Sequence, residues 1–235
     1  MKWEVQINGD LLDLKELSKS LVDDELRVFV RDGNYFLESN RLEGIANQEE
    51  VNSLAADILE MLTGAIRLSL GGRTPLRVIN ISMVSPGGDK TIFVTLSDTI
   101  RIMDTIGFEI KHSDGLNEAI HPAHSVPGWI KAALTDTSVA KALRLLGKSE
   151  YNWVNLYRLY EVIENDVGGL GEIVNRGWAT TTSIRRFKHT ANSPSAAGDA
   201  SRHGKESTSP PAEPMGVSEA RAVVEIILHN WLRSK

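Results

Sequence analysis

The spacing of the apolar residues changes near residue 115, and this change constrains the fold more than any other feature of the chain. Before that point, apolar and polar residues alternate in short runs, as at Trp3, Val5 and Ile7. A period of two is typical of half-buried strands. Beyond residue 115, the apolar residues recur three and four positions apart instead, as in helices. The chain is therefore predicted to be an α+β protein, with an N-terminal, mainly antiparallel sheet with helices and a C-terminal all-helical part.

The same change predicts the domain boundaries. Residues 1–115 are predicted to form an α+β module and residues 129–235 a helical module. A polar connecting segment at 116–128, which contains two prolines, joins them. Within the helical module, residues 189–216 are predicted to be an ordered polar loop, because they are rich in Ser, Ala, Gly and Pro yet lie between two helices.

Turn signals and apolar periodicity predict the individual elements. Asp32-Gly33 favours a two-residue hairpin turn, and Gly71 favours a helix end. A Ser at position 218 is expected to cap the last helix, with Trp231 as a buried anchor of that helix. The predicted strands are 3–7, 26–30, 35–37, 76–84, 91–96 and a further one at 108–111. The predicted helices are 11–21, 48–70, 129–146, 152–167, 170–176, 180–188 and one from 218 onward.

The composition excludes several classes of function. There is no cysteine, which rules out disulfides, thiol catalysis and zinc–thiolate sites. A net charge of −5 argues against a general nucleic-acid binder, although a local basic patch remains open. The N-terminus lacks an apolar signal core, and no uninterrupted apolar stretch reaches membrane length. We therefore expect a cytoplasmic protein without membrane contact.

Residues 185–216, which we call the Arg/His segment, are the main candidate for a functional site. Between positions 185 and 205 this segment carries five cations and one anion, in a protein that is acidic as a whole. The candidate phosphate or nucleic-acid ligands are the cations Arg185, Arg186, Lys188 and Arg202. The candidate catalytic residues are the imidazoles His189 and His203.

Three interpretations of the Arg/His segment are open at this level. Its cations and imidazoles suit phosphate or nucleic-acid binding. An Arg/His pair can also cleave RNA without a metal, with His189 or His203 moving the proton and an arginine stabilising the charge on phosphorus. Alternatively, the polar side chains cap and cross-link the loop itself through bonds to its backbone.

Four further motifs favour structural roles. The His121-Pro-Ala-His124 spacing resembles a metal pair, but Pro122 disfavours the continuous helix such a pair needs, so no metal is expected. Gly168-Gly169 is interpreted as a helix end and not as a phosphate loop. The aromatic residues Trp153, Tyr157 and Tyr160 have the spacing of a buried helix face, although the same spacing suits a base-stacking platform. The nearby acids Glu161, Glu164 and Asp166 are predicted to face solvent.

A resemblance adds to these observations. The run Arg-Arg-Phe-Lys-His-Thr-Ala-Asn-Ser-Pro at 185–194 is followed by Gly-Asp-Ala-Ser-Arg-His-Gly at 198–204 and then by Pro210-Pro211 and Pro214-Met215. It resembles a C-terminal signature of bacterial proteins of unassigned function, and it carries no activity with it. A looser likeness is to HEPN ribonucleases, compact helical domains of toxin and antiphage systems. In those proteins an Arg and a His enclose four to six residues, whereas Arg185 and His189 enclose three.

The leading hypothesis is a non-catalytic interaction or accessory protein of a bacterial cytoplasmic system, with antiphage defence as one setting. It implies a protein partner or a homo-oligomer and requires no cofactor. The alternative is a metal-independent RNA-cleaving or RNA-binding protein that uses the Arg/His cluster of the helical half.

Overall fold

The computed structural model describes residues 2–72, 74–84, 90–94, 125–148, 151–202 and 209–235. The strands in these ranges are β1 (Lys2–Asn8), β2 (Leu26–Arg31), β3 (Asn34–Ser39), β4 (Arg77–Val84) and β5 (Lys90–Val94). The helices are α1 (Leu11–Ser20), α2 (Gln48–Leu70), α3 (Ser125–Thr135), α4 (Thr137–Lys148), α5 (Trp153–Val167), α6 (Leu170–Asn175), α7 (Thr181–Ala191), α8 (Pro194–Ala197) and α9 (Val217–Arg233).

The five strands form one sheet in the order β2-β3-β1-β4-β5, and all neighbouring strands are antiparallel. The chain order β1-α1-β2-β3-α2-β4 with this strand order is the ferredoxin-like arrangement, and β5 extends it by one edge strand. The helices from residue 125 onward form the C-terminal part. The α+β prediction is confirmed. A ferredoxin-like arrangement by itself carries no function, because many unrelated activities share it.

Short sequence signals position the elements of the sheet. Asp10 begins α1, and its side chain accepts hydrogen bonds from the backbone N–H groups of Leu12 and Asp13. The hairpin between β2 and β3 turns at Asp32 and Gly33, whose φ angles of 52° and 75° are left-handed, as a type I′ turn requires. The 23 residues of α2 end at Gly71, which is also left-handed. The predicted hairpin turn and the predicted helix end at Gly71 are confirmed.

The two faces of the sheet differ. Trp3, Val5 and Ile7 of β1 point into the hydrophobic core, together with the apolar faces of α1 and α2. The alternate residues of the strands form the outer face. There Glu4 is buried although it points away from the core, because it is paired with an arginine of β2. A buried carboxylate needs such a partner.

The sheet half and the helical half share one hydrophobic core, and they meet where α2 crosses α4. Two glycines allow this close crossing. A Cβ atom at Gly64 of α2 would collide with the backbone carbonyl of Leu143 in α4. A Cβ atom at Gly147 of α4 would collide with the carbonyl of Glu60 in α2. The contact is therefore reciprocal, and neither position tolerates a side chain without a shift of the helices.

Two helix predictions are wrong in detail. The helix predicted at 129–146 begins at Ser125 and is split at Asp136, whose side chain accepts from the N–H groups of Ser138 and Val139 and so begins α4. The last helix begins at Val217 after Gly216, one residue before the predicted Ser cap.

The predicted strand at 108–111 and residues 116–124 of the connecting segment lie outside the described residues. Among the described residues after 124, no strand occurs.

Candidate functional site

The first half of the Arg/His segment is helical. The prediction of a loop from residue 189 is wrong, because α7 continues to Ala191 and is followed by α8 and a 3₁₀ turn at Gly198–Ala200. The Thr180 side chain accepts from the N–H of Ser183 and begins α7. Ile184, Phe187 and Ala191 are all fully buried. Their spacing is the signal that could have shown the helix, since it continues the apolar stripe past the polar residues.

The buried face of α7 packs on the aromatic residues of α5. The Phe187 ring lies 5.8 Å from the Tyr157 ring and 5.7 Å from the Tyr160 ring, centroid to centroid. Trp153, Tyr157 and Tyr160 are all buried, so the prediction that they belong to the core is confirmed. Their rings are not available as a platform for bases.

Lys188 and Arg202 turn inward toward α5. The Lys188 ammonium is 3.2 Å from both carboxylate oxygens of Glu164 and lies over the Tyr160 ring. The Arg202 guanidinium donates to Glu161 at 2.8 Å and lies 4.1 Å from the centre of the Tyr157 ring. Each cation is therefore held by one carboxylate and one aromatic ring, and most of its charge is compensated inside the molecule.

The acids on α5 and at its end have partners inside the chain. Glu164 accepts from the Tyr160 hydroxyl at 2.8 Å as well as from Lys188, and Asp166 accepts from the indole of Trp231 at 2.7 Å. Burial raises the pKa of Tyr160 above its ordinary value, and the hydrogen bond to Glu164 adds to the effect. The prediction that these acids face solvent holds for Asp166, which is an exposed residue, but not for Glu161 and Glu164, which are partly buried and paired with cations. The cations and the indole that bind these acids lie far from them in the sequence, so no local pattern could have indicated the pairing.

Arg186 binds a different part of the molecule. Its guanidinium donates to the backbone carbonyls of Glu213 and Pro214, and it forms a 2.6 Å ion pair with Glu219 in the first turn of α9. The residue therefore connects α7 with the chain that leads into α9. A planar guanidinium with several donors suits such a multiple contact.

Three further side chains of α7 and the turn after it hold the same stretch of chain. His189 Nε2 lies 2.7 Å from the Ser209 carbonyl oxygen. The Thr190 hydroxyl accepts from the N–H of Met215 at 3.0 Å, and the buried Ser193 hydroxyl lies 3.3 Å from the carbonyl of Ser209 as well as 2.8 Å from that of His189. We call the contacts of Arg186, His189 and Thr190 with residues 209–219 the clasp. The clasp matches one of the interpretations that the sequence left open, in which polar side chains cross-link the segment.

Arg185 is the exception among the four candidate cations. It is exposed on α7, and no carboxylate within the described part of the chain pairs with it. His189 follows it by one helical turn and is also exposed. These two residues are the Arg and His side chains of the candidate set that the fold brings to one face. His203, the other candidate imidazole, lies outside the described residues, and so do His121 and His124.

Two general features of the described ranges bear on the site. Within those ranges, no group of three or more His, Asp or Glu side chains could hold a metal ion. None of the described helices is long and apolar enough to cross a membrane.

Gly168 has a φ of 92° and its N–H bonds to the Glu164 carbonyl, which confirms the interpretation of Gly168-Gly169 as a helix end.

Comparisons with family models, with curated protein sequences and with solved structures find no match for this chain. The site must therefore be interpreted from its own geometry. That geometry separates the candidate residues into an inward pair (Lys188 and Arg202), the clasp (Arg186 and His189) and one exposed cation, Arg185.

Proposed function

We propose that this protein is a non-catalytic interaction or accessory protein of a bacterial cytoplasmic system, with a protein partner or a second copy of itself as its ligand. In this proposal the Arg/His segment is a structural element. It gives the helical half a rigid surface, and it does not bind phosphate itself.

One observation supports this proposal above the others. Arg186, Lys188 and Arg202 each form an ion pair with an acid of α9 or α5. A polyanion that bound these three cations would have to compete with carboxylates already in contact with them, at distances of 3.2 Å or less. Affinity for nucleic acid depends on cations that release counterions on contact, and paired cations whose side chains are only 29–31% exposed contribute little of that effect.

The alternative is an RNA-binding or RNA-cleaving protein that uses the exposed face of α7. Arg185 and His189 favour this second candidate, because they lie one turn apart and face solvent. If Nε2 of His189 donates its proton to the Ser209 carbonyl, Nδ1 is left as a base. An imidazole in that state can take the proton from a ribose 2′-hydroxyl, while an arginine stabilises the charge on phosphorus.

Incubation of the purified full-length protein with end-labelled RNA tests the two candidates. We expect no cleavage by the intact protein, and no loss of RNA binding when Arg186, Lys188 and Arg202 are each changed to Gln. Multiple-turnover cleavage that is abolished by His189→Ala, while RNA binding survives, would establish the alternative and overturn the proposal.

A positive test of the proposal uses the proteins encoded beside this one. Each is purified and titrated into this protein by calorimetry, and sedimentation measures self-association in parallel. We expect a stoichiometric complex with one of these proteins or a defined homo-oligomer. The absence of both over the accessible concentration range would contradict the proposal.

A further inference from the structure

A second group of cations lies on the outer face of the sheet, at the end formed by β2 and β3. Arg27, Phe29 and Arg31 are alternate residues of β2 and so point to the same face, and Phe36 of β3 is the register partner of Phe29. The two phenyl rings are stacked with centroids 5.6 Å apart. We call these four residues the arginine–phenylalanine platform.

Both guanidinium groups of the platform lie over its rings. The Arg27 guanidinium carbon is 5.1 Å from the centre of the Phe29 ring, and that of Arg31 is 4.6 Å from the centre of the Phe36 ring. A guanidinium over an aromatic ring presents its other planar side outward. The exposed side of the platform therefore carries two cationic guanidinium groups supported by apolar rings.

Buried acids hold these guanidinium groups in place. Arg31 donates to both carboxylate oxygens of Glu4, at 2.9 and 2.6 Å. Arg27 donates through Nε to Glu38 at 2.6 Å, and Lys2 pairs with the same carboxylate at 3.0 Å. The cation side chains are 41–49% exposed, whereas the side chains of Glu4 and Glu38 are only about a tenth exposed. Solvent therefore meets the cations first, and their orientation is set before any ligand arrives, which reduces the entropy cost of binding.

We propose that the arginine–phenylalanine platform binds a short single-stranded nucleic acid, with bases stacked on the guanidinium planes of Arg27 and Arg31 and a phosphate beside Lys2. This site is separate from the Arg/His segment and goes beyond the proposed function.

The way Arg31 is engaged distinguishes a nucleic acid from an acidic protein partner. A carboxylate of a partner is best recognised by two parallel N–H donors of one guanidinium. Both terminal nitrogens of Arg31 already donate to Glu4, so the end-on pair of donors is occupied and a partner's carboxylate would be restricted to the side-on pair that includes Nε. The planar face of the group offers another contact, and bases stack on such faces.

A row of amides beside the platform can contact base edges. Asn80 Nδ2 donates to Gln6 at 2.6 Å, and Gln6 Nε2 donates to Asn34 at 3.0 Å, so the three amides run across β4, β1 and β3. Amide side chains have donors and acceptors left over after such bonds, and these match the hydrogen-bonding edges of unpaired bases.

Acids around the platform limit the length of the ligand. Asp32 lies in the turn directly after Arg31, and Asp24 and Glu43 line a small polar cavity with Lys2 and Arg27. These carboxylates repel a long phosphate backbone. We therefore expect a site of a few nucleotides whose affinity comes mainly from stacking, with a shallow salt dependence of about one or two phosphate contacts.

Fluorescence anisotropy with a labelled single-stranded oligoadenylate of eight nucleotides tests the proposal at low salt. The variant Arg27→Lys/Arg31→Lys keeps the charge but removes both planar faces, and Arg27→Lys alone is a milder form, since Lys2 still pairs with Glu38. We expect the double variant to bind about 10-fold more weakly and the single variant to show an intermediate loss. The matched control makes the same Arg-to-Lys change at two exposed arginines of the helical half, Arg158→Lys/Arg233→Lys, and should bind as the intact protein does.

Three results would overturn the proposal. The first is an intact protein that shows no binding at about 50 mM salt. The second is a folded Arg27→Lys variant, checked by its thermal unfolding, that binds as tightly as the intact protein. The third is a loss of binding in Arg185→Gln but not in the platform variants, which would locate the contact on α7 instead.

Discussion

The Arg/His segment and the outer face of the sheet carry the same kinds of side chains but use them in opposite ways. In the segment, Lys188 and Arg202 turn inward to acids and rings of α5, and Arg186 connects α7 to α9. On the sheet, the acids Glu4 and Glu38 lie underneath and the cations lie above them, facing solvent. The density of cations along the sequence is highest in the segment, yet among its described cations only Arg185 is exposed without a carboxylate partner, whereas three cations on the sheet have side chains 41–49% exposed. Local charge in a sequence therefore does not predict charge at the surface.

Removal of Arg31 is expected to have the largest effect on stability. Arg31→Ala leaves the buried carboxylate of Glu4 without its two hydrogen bonds, and we expect a loss of about 3 kcal/mol in the free energy of unfolding. Urea denaturation measures this loss. The double variant Glu4→Gln/Arg31→Ala removes the buried charge of Glu4 as well and should recover part of the stability. If the single variant is as stable as the intact protein, the outer-face pairs do not hold the sheet.

Asp13 is the contrasting acid of the sheet half, because it is buried and no cation of the described residues pairs with it. Within the same residues its side-chain oxygen Oδ2 has no hydrogen-bond partner, and burial, with a smaller contribution from Asp10, raises the pKa of Asp13 to about 6. The folded protein then holds the proton more tightly than the unfolded chain does, so Asp13 makes stability fall as the pH rises from about 4 to about 6. Above pH 6 the full penalty of the charged form is present.

Asp13→Asn should therefore stabilise the protein by about 2 kcal/mol at pH 7.5 and by much less at pH 4.5. The comparison of variant with intact protein at each pH cancels the contribution of His229, whose pKa is lowered by burial. Denaturation curves at several pH values provide the measurement. A stability difference that does not change with pH would show that Asp13 is ionised equally in both states.

Disruption of the clasp is expected to lower the free energy of unfolding less than Arg31→Ala does. Arg186→Ala removes one ion pair and two bonds to backbone carbonyls in a half-exposed setting, and we expect a loss of about 1–2 kcal/mol. The same change should speed hydrogen exchange at the N–H of Met215, which Thr190 holds. Unchanged exchange at that amide would indicate that residues 209–215 are held without Arg186.

Substitution of Arg185 is expected to have the smallest effect on the free energy of unfolding. Because no carboxylate in the described ranges pairs with it, Arg185→Ala should change the free energy of unfolding by less than about 0.5 kcal/mol. Thermal unfolding of Arg185→Ala beside Arg186→Ala makes a direct comparison of two adjacent arginines. Equal losses would break the distinction between the exposed cation and the clasp.

Much of the fold could be predicted from local pattern. The alternation at Trp3, Val5 and Ile7, the Asp32-Gly33 turn and the long apolar stripe of α2 each have a single favourable structure, so the sequence predicts them well. The split at Asp136 and the start at Ser125 were missed, because a helix can continue or restart through such positions and packing decides between the two. The domain division at 1–115 and 129–235 stays a prediction.

The candidate site was predicted only in part. The sequence indicates that Arg185, Arg186, Lys188 and Arg202 are close along the chain, and the structure separates them onto three sides of α7 and its neighbours. Their partners Glu161, Glu164 and Glu219 are 24 to 41 positions away. No local pattern encodes such pairings, so the distinction between a structural cation and an available one was beyond the sequence.

The sequence by itself determined the class of fold and the places where strands give way to helices, because hydrophobic periodicity and turn chemistry act over a few residues. Only the tertiary structure decided which charges are compensated. The crossing of α2 and α4 at Gly64 and Gly147, the inward turn of Lys188 and Arg202, and the burial of Glu4 beneath Arg31 all depend on residues far apart in the chain. A charged side chain is stabilised or exposed according to the groups around it in space, and those neighbours exist only after the chain has folded.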